Sequence, residues 1–198
     1  MVSVSTFLQR WAANAQGSGF APLNFFGASA LSILKAQTSS SSVSRVNVVT
    51  AVIWKCFMEA VAEESVGKDV KPVLMTQAVN LRRKATPPFP DDRSDGVYEF
   101  LEELRNEMPQ EATWLAFTSW SNIGLSEVNF GWGKPVWMSG YIPQYSEYET
   151  LVGSNVVILL DLESGGIEAS AILNKKYVAG FEKNDHICKY ARFNPSVI

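Results

Sequence analysis

Histidine occurs once in this 198-residue chain, at His186. Glu182, Lys183 and Lys189 surround it in sequence, so it reads as an exposed surface residue of a last helix and not as a poised general base. Cysteine occurs at Cys56 and Cys188 alone, far apart, which gives no disulfide framework and no metal spacing and suits a reducing compartment. The longest apolar run, Val156 to Leu160, is too short to span a membrane. The 17 basic and 20 acidic residues are spread along the chain for a net charge of −3, and no basic block exists to grip a nucleic acid. There is no internal repeat, no G-x-G-x-x-G phosphate pattern, and no basic stretch plus apolar run after Met1 to suggest a secretory leader. The expected location is the cytosol.

What is present is a globular composition, 46% hydrophobic and 19% charged, long enough for one sizeable core or two small ones. Met1 to Gly19 carries Arg10, several serines and no acid, as organellar transit peptides do; Val4, Phe7, Leu8, Trp11, Ala12 and Ala15 also make one helical stripe, which favours an ordinary amphipathic helix. Residues 17 to 44 read as a connector, broken by Pro22 and Gly27 and by the serine run 39 to 42. A strong helix follows, capped by Ser44 or Asn47, with Val49, Val52, Ile53, Cys56, Phe57, Ala60 and Val61 on one stripe and Gly67 at its end. Burial of such a stripe contributes about 1.5–3 kcal/mol per large side chain, so the helix requires a partner surface. Strands are predicted over 70–81 and 114–119, a proline-fixed loop over 82–96, and a short helix over 97–104 that Pro109 stops. Residues 122 to 153, rich in Gly, Pro, Trp and Tyr, suit a long ordered surface segment. Residues 155–162 and 167–173 flank Glu163-Ser164-Gly165-Gly166 as a hairpin, and a last helix spans about 175–190. The class is α/β, a mixed sheet packed by helices.

Several stretches in order resemble the plant BAHD family of acyl-CoA-dependent acyltransferases. They are Val46 to Phe57, Val79-Asn80-Leu81-Arg82 with Pro87-Pro88, Thr118-Ser119-Trp120 with Val128-Asn129-Phe130-Gly131-Trp132-Gly133-Lys134-Pro135, and Gly166-Ile167-Glu168-Ala169 with the closing Asn194-Pro195-Ser196-Val197. The resemblance covers nearly the whole chain and implies a chloramphenicol-acetyltransferase-like fold of two domains. Acyl-CoA and an acceptor alcohol or amine would meet in a tunnel between them, and the histidine of an H-x-x-x-D motif would deprotonate the acceptor. It implies that residues 1–16 form the last helix of a first domain, 17–44 a crossover linker, and 45–198 the second domain.

The sequence departs from the family in three places. It has no H-x-x-x-D, and Met1 matches a position just downstream of that motif. An internal segment is expected to be deleted near 94–95. The motif's usual aspartate is Asn129, with Arg82 the candidate partner for that position. A buried arginine left unpaired costs about 3–5 kcal/mol, an exposed one little.

By resemblance, Thr118, Ser119 and Trp120 line the tunnel near the reacting carbon, where a hydroxyl and an indole N–H suit an acceptor or an oxyanion; without it, this is a strand whose tryptophan packs in the core. Asn80 and Arg82 would shape the CoA side. Ser44 and Arg45 could meet CoA phosphates at a helix N-terminus, or Arg45 is simply solvated. Gly131 and Gly133 around Trp132 predict a tight loop, needing positive φ or close approach, that latches structure and carries no chemistry. Cys56 reads as core, and Cys188 has no basic partner in view. The implied activity is acyl transfer from acyl-CoA, a co-substrate and not a resident cofactor, to a plant specialised metabolite. No metal or nucleic acid is expected. Two other readings stand beside it: a non-catalytic chain that keeps a CoA site or associates with a partner chain such as an intact relative, or with itself, through uncovered apolar surface, and a truncated product with no biochemical role.

Overall fold

The computed structural model describes residues 20–40, 42–69, 71–79, 109, 111–135 and 155–193. Within them run β1 (Phe20–Phe26), α1 (Ala28–Ala36), α2 (Arg45–Glu64), β2 (Val73–Gln77), β3 (Thr113–Ser119), a 3-10 turn (Leu125–Glu127), β4 (Val156–Asp161), β5 (Ile167–Ile172), α3 (Lys175–Glu182), α4 (Asp185–Tyr190) and β6 (Arg192–Phe193). The helix expected over 1–16, the loop over 82–96, the helix over 97–104 and the 194–197 motif lie outside the described residues.

Helix α2 forms where its stripe places it. Ser44 is the cap: its hydroxyl accepts from the Asn47 N–H at 3.1 Å, satisfying one of the orphan donors of the first turn. Val49, Ile53, Cys56 and Phe57 are fully buried, and Phe57 meets Tyr177 of α3 edge to face at 5.4 Å. Helices α2 and α3 approach closely because Gly180 lies over Ala60; a Cβ there would stand 3.4 Å from the alanine methyl.

The six strands form one sheet in the order β2-β3-β4-β5-β1-β6, parallel from β2 to β4 and antiparallel beyond. Alternation sorts its side chains. Leu115, Phe117, Val157, Leu159, Ala169 and Ala171 join residues of all four helices in the main core. Their neighbours Ala116, Val156 and Ile158 point to the opposite face, where Trp120 packs against them. The hairpin over 155–173 falls where the sequence predicts it, as do β3 and the edge strand β2, which occupies Val73–Gln77 of the predicted 70–81.

Two expectations are corrected. Residues 17–44 are not a plain connector, since β1 sits inside the sheet between β5 and β6 and α1 contributes Leu31 and Leu34 to the core. Pro22 misleads because it falls at a register shift between Phe20 and Leu23, where a residue without an N–H interrupts no ladder bond. The sheet unit therefore begins at Phe20 and not at Arg45. The last helix is two helices. Asn184 breaks it by capping α4, its side-chain oxygen accepting from the His186 N–H at 3.0 Å.

Candidate active site

Strand β3 carries the chain to the C-terminal edge of the parallel strands, and its alternation divides the Thr118-Ser119-Trp120 segment. Thr118 and Trp120 share the parity of Ala116 and project to the face away from the helices. Ser119 has the opposite parity, and its hydroxyl accepts from the Ser121 N–H at 3.3 Å. Ser119 thus serves the backbone turn, while Thr118 and Trp120, both half-buried, remain for a ligand or for packing. In register with Thr118 stands Ile158 on β4, and with Ile158 stands Ser170 on β5. Ser170 and Glu168, on the same face, are 0% and 1% exposed, and the Ser170 hydroxyl donates to Glu168 Oε1 at 3.5 Å. These two buried polar groups are a site feature not singled out from sequence; the period-2 alternation of Ile167-Glu168-Ala169-Ser170-Ala171 is the signal that finds them.

Beyond Trp120 the chain turns sharply. The Trp120 N–H donates to Leu159 O at 2.8 Å, and Asn122 then adopts a left-handed φ of 60°. Its N–H donates to Asp161 Oδ2 at 2.8 Å. Asp161 Oδ1 accepts from Arg45 Nη2 at 3.1 Å, while Arg45 Nη1 donates to Gly165 O at 2.7 Å. The hydroxyl of Ser121 is buried with no hydrogen-bond partner among the described residues.

Other sequence-selected residues lie elsewhere. Asn80 and Arg82 are outside the described residues. Ser44 and Arg45 have structural work of their own, the cap of α2 and the ion pair with Asp161. The Asn129 side-chain oxygen accepts from the N–H groups of Gly131 and Gly133 at 2.8 and 3.2 Å. Those glycines have φ of 98° and 110° with open space where a Cβ would stand, so conformation and not close approach requires them. Phe130 and Trp132 stack at 5.8 Å between centroids and are 72% and 85% exposed. His186 is exposed on α4 with its Nε2 3.0 Å from Lys55 Nζ, on the helical side of the sheet away from Thr118 and Trp120. Cys56 donates to Asn184 Oδ1 at 3.2 Å, and burial pushes its thiol up to about 12, which leaves no thiolate at neutral pH. Among the described residues no cluster of His, Cys, Asp and Glu could hold a metal ion, and no helix is long and apolar enough to cross a membrane.

A mixed sheet with helices on one face is the architecture of chloramphenicol-acetyltransferase-like acyltransferases. The structure superimposes on vinorine synthase with a TM-score of 0.59 at 25% identity, covering 80% of this chain and 45% of that one. The sequence matches the Transferase family over residues 23–94 and 101–187, and the chain belongs to this family of BAHD acyltransferases. Epi-neemfruitin B 7-O-acetyltransferase of Melia azedarach is 28% identical over 228 residues, covering 86% of this chain and 48% of the relative. Stemmadenine O-acetyltransferase of Catharanthus roseus is 31% identical over 146 residues, covering 54% and 34%. The chain spans about half the length, or less, of the curated relatives it matches.

Proposed function

We propose that this chain carries the acceptor-side wall of an acyl transfer from acyl-CoA to an alcohol or amine of a plant specialised metabolite, with Thr118 and Trp120 as the contacts nearest the reacting carbon. The observation that carries the reading is that both project to the sheet face opposite the helical core, in a chain that belongs to the Transferase family. In the reaction the acceptor oxygen or nitrogen attacks the thioester carbon, the C–S bond breaks, and CoA leaves as its thiol. The Thr118 hydroxyl and the Trp120 indole N–H are donors suited to the oxyanion that forms in between; one such donor is worth about 10²–10³ in rate when its geometry is assembled. The buried Ser121 hydroxyl is a further polar atom at this edge. Soluble cytoplasmic residence, and an internal deletion near 94–95 relative to the family, belong to the same reading. The deletion is supported by the break in the family match between 94 and 101, and by an aligned stretch of 228 residues that exceeds the chain's own 198.

The acceptor's proton has no imidazole to receive it on that face, since His186 stands on the other side of the sheet. A positioned general base contributes about 10²–10⁴-fold. The 198-residue chain with acetyl-CoA and simple alcohols should therefore release CoA thiol no faster than buffer. Added imidazole should raise that rate, and Thr118→Val or Trp120→Phe should remove the gain. Turnover well above buffer without imidazole would overturn the missing-base reading. Imidazole-dependent turnover indifferent to both substitutions would overturn the roles of Thr118 and Trp120.

A second reading is favoured by the exposed Phe130–Trp132 stack: the chain acts by association, with itself or with a partner chain, and not by turnover. Sedimentation of a strictly monomeric chain at high concentration would count against it.

A further inference from the structure

We propose that Asp161 is a positioning residue for the acyl-transfer site, acting through the turn that ends strand β3. This rests on the reading of Thr118 and Trp120 as acceptor-side contacts. Asp161 sits at the C-terminal end of β4, on the helical face of the sheet, and so touches neither side chain. Its Oδ2 accepts from the Asn122 N–H at 2.8 Å, two residues past Trp120. Asn122 is the sole non-glycine residue with positive φ among the described residues. A left-handed residue other than glycine is strained and persists only where its surroundings hold it; asparagine tolerates the conformation best.

The surroundings here are specific. Trp120 is tied to β4 through Leu159 O at 2.8 Å, and Asn122 is tied to the same strand through Asp161. Two anchors on one strand therefore bracket the Trp120–Asn122 peptide units. Arg45 bonds the other carboxylate oxygen, Asp161 Oδ1, and the hairpin carbonyl of Gly165, so the ion pair and the Asn122 bond use separate oxygens. A bond from a backbone N–H to an ionised acceptor is stronger than a neutral one, and it fixes direction as well as distance. Groups held within about 0.5 Å of productive geometry depend on such supporting bonds. Loss of the Asn122 anchor frees the turn, and with it the indole orientation on the far face.

The arrangement separates positioning from bulk stability. Arg45→Ala removes the ion pair and the bond to Gly165 but leaves the Asp161–Asn122 bond. Asp161→Ala removes the ion pair and the Asn122 bond and leaves the Arg45–Gly165 bond. With 5-fluorotryptophan incorporated and the Trp120 signal assigned through Trp120→Phe, the ¹⁹F resonance of Trp120 should shift or broaden beyond its linewidth in Asp161→Ala. In Arg45→Ala it should stay in place despite a lowered Tm. Amide exchange of Asn122 should accelerate in the first variant and not in the second. Should Asp161→Ala fail to fold, Asp161→Thr replaces it, because it keeps strand propensity while its hydroxyl ends one atom short of the amide. An unmoved Trp120 resonance in the Asp161 variant, or equal movement in Arg45→Ala, overturns the proposal. In the imidazole-assisted assay the Asp161 variant should lose turnover by about 10–100-fold with KM for acetyl-CoA unchanged; a change confined to KM also overturns it. If the unmodified chain shows no turnover even with imidazole, the acyl-transfer reading fails, and the ¹⁹F and exchange arms still decide what Asp161 does.

Discussion

Gly165 and Gly166 sit side by side in the β4–β5 hairpin, yet the structure requires glycine at each for a different reason. A Cβ on Gly166 would stand 2.5 Å from the Phe26 carbonyl oxygen, 3.2 Å from a Leu162 methyl and 3.4 Å from Gly27 Cα. The first contact is to backbone, at the point where β1 and β5 begin to pair through Phe26 and Ile167. Gly166→Ala can be accommodated only if β1 moves away from the hairpin by more than half an ångström, on the order of the overlap with an ordinary contact of about 3.3 Å or more. Overpacking of this kind costs about 1–3 kcal/mol, and a value near 2 lowers Tm by about 4–8 °C in a chain of this length. At Gly165 the nearest atom to a new Cβ is the Ala28 methyl at an ordinary 3.8 Å, but φ is 80°. Gly165→Ala should cost about 1–2 kcal/mol through backbone strain alone, and Gly165→Asn less, because asparagine enters the left-handed region more easily. Urea unfolding followed by tryptophan fluorescence and circular dichroism measures both series. Gly166→Ala and Gly166→Asn should be similarly harmful, in contrast to the pair at Gly165. Gly166→Ala within about 0.5 kcal/mol of the unmodified chain would refute the steric account, since that is the ordinary scatter of surface substitutions.

Phe57→Ala should destabilise by about 3–5 kcal/mol in the same assay, because it empties a fully buried ring site against Tyr177. Thr50→Val should be neutral or stabilising by about 1 kcal/mol, since the Thr50 hydroxyl is buried with no hydrogen-bond partner among the described residues. Exposed Cys188 should react with iodoacetamide at pH 8 while Cys56 does not; its proton is held up to about 12, so thiolate fails to form below that pH until the chain unfolds. Peptide mapping of the alkylated native chain checks this, and modification of Cys56 at the rate of Cys188 would contradict it. Asn129→Asp should leave the 129–133 loop intact, because a carboxylate oxygen accepts from Gly131 and Gly133 as the amide oxygen does, whereas Asn129→Ala should speed exchange of both amides.

The elements that could be read before folding are those whose signal is local. The stripe of α2 has helical spacing, a serine cap within four residues of its start and a buried face; nothing distant is needed to specify it. The hairpin declares itself through two apolar arms around Glu163-Ser164-Gly165-Gly166, and Thr118-Ser119-Trp120 and Asn129 to Gly133 are continuous motifs. The positive φ of Gly131 and Gly133 follows from residue type in the same way. The segment Phe20 to Phe26 shows the opposite case. Its proline and the following glycine are breakers locally, and only pairing with β5 and β6, whose residues lie more than 140 positions away, makes it a strand.

The candidate site divides along the same line. Sequence alone determined which residues carry hydroxyl, indole and carboxylate groups, and period-2 alternation put Thr118 and Trp120 on one side of a strand and Ser119 on the other. Only the tertiary structure decided which side faces the helices, that Ser170 and Glu168 share the face of Thr118, and that Asp161 reaches across to the Asn122 amide. It also decided that His186 lies behind the sheet and that Arg45 is engaged with Asp161. The physical reason is that alternation is a property of the backbone and is written in consecutive residues. The choice of face, and every contact between strands, depends on which distant apolar surface the chain buries.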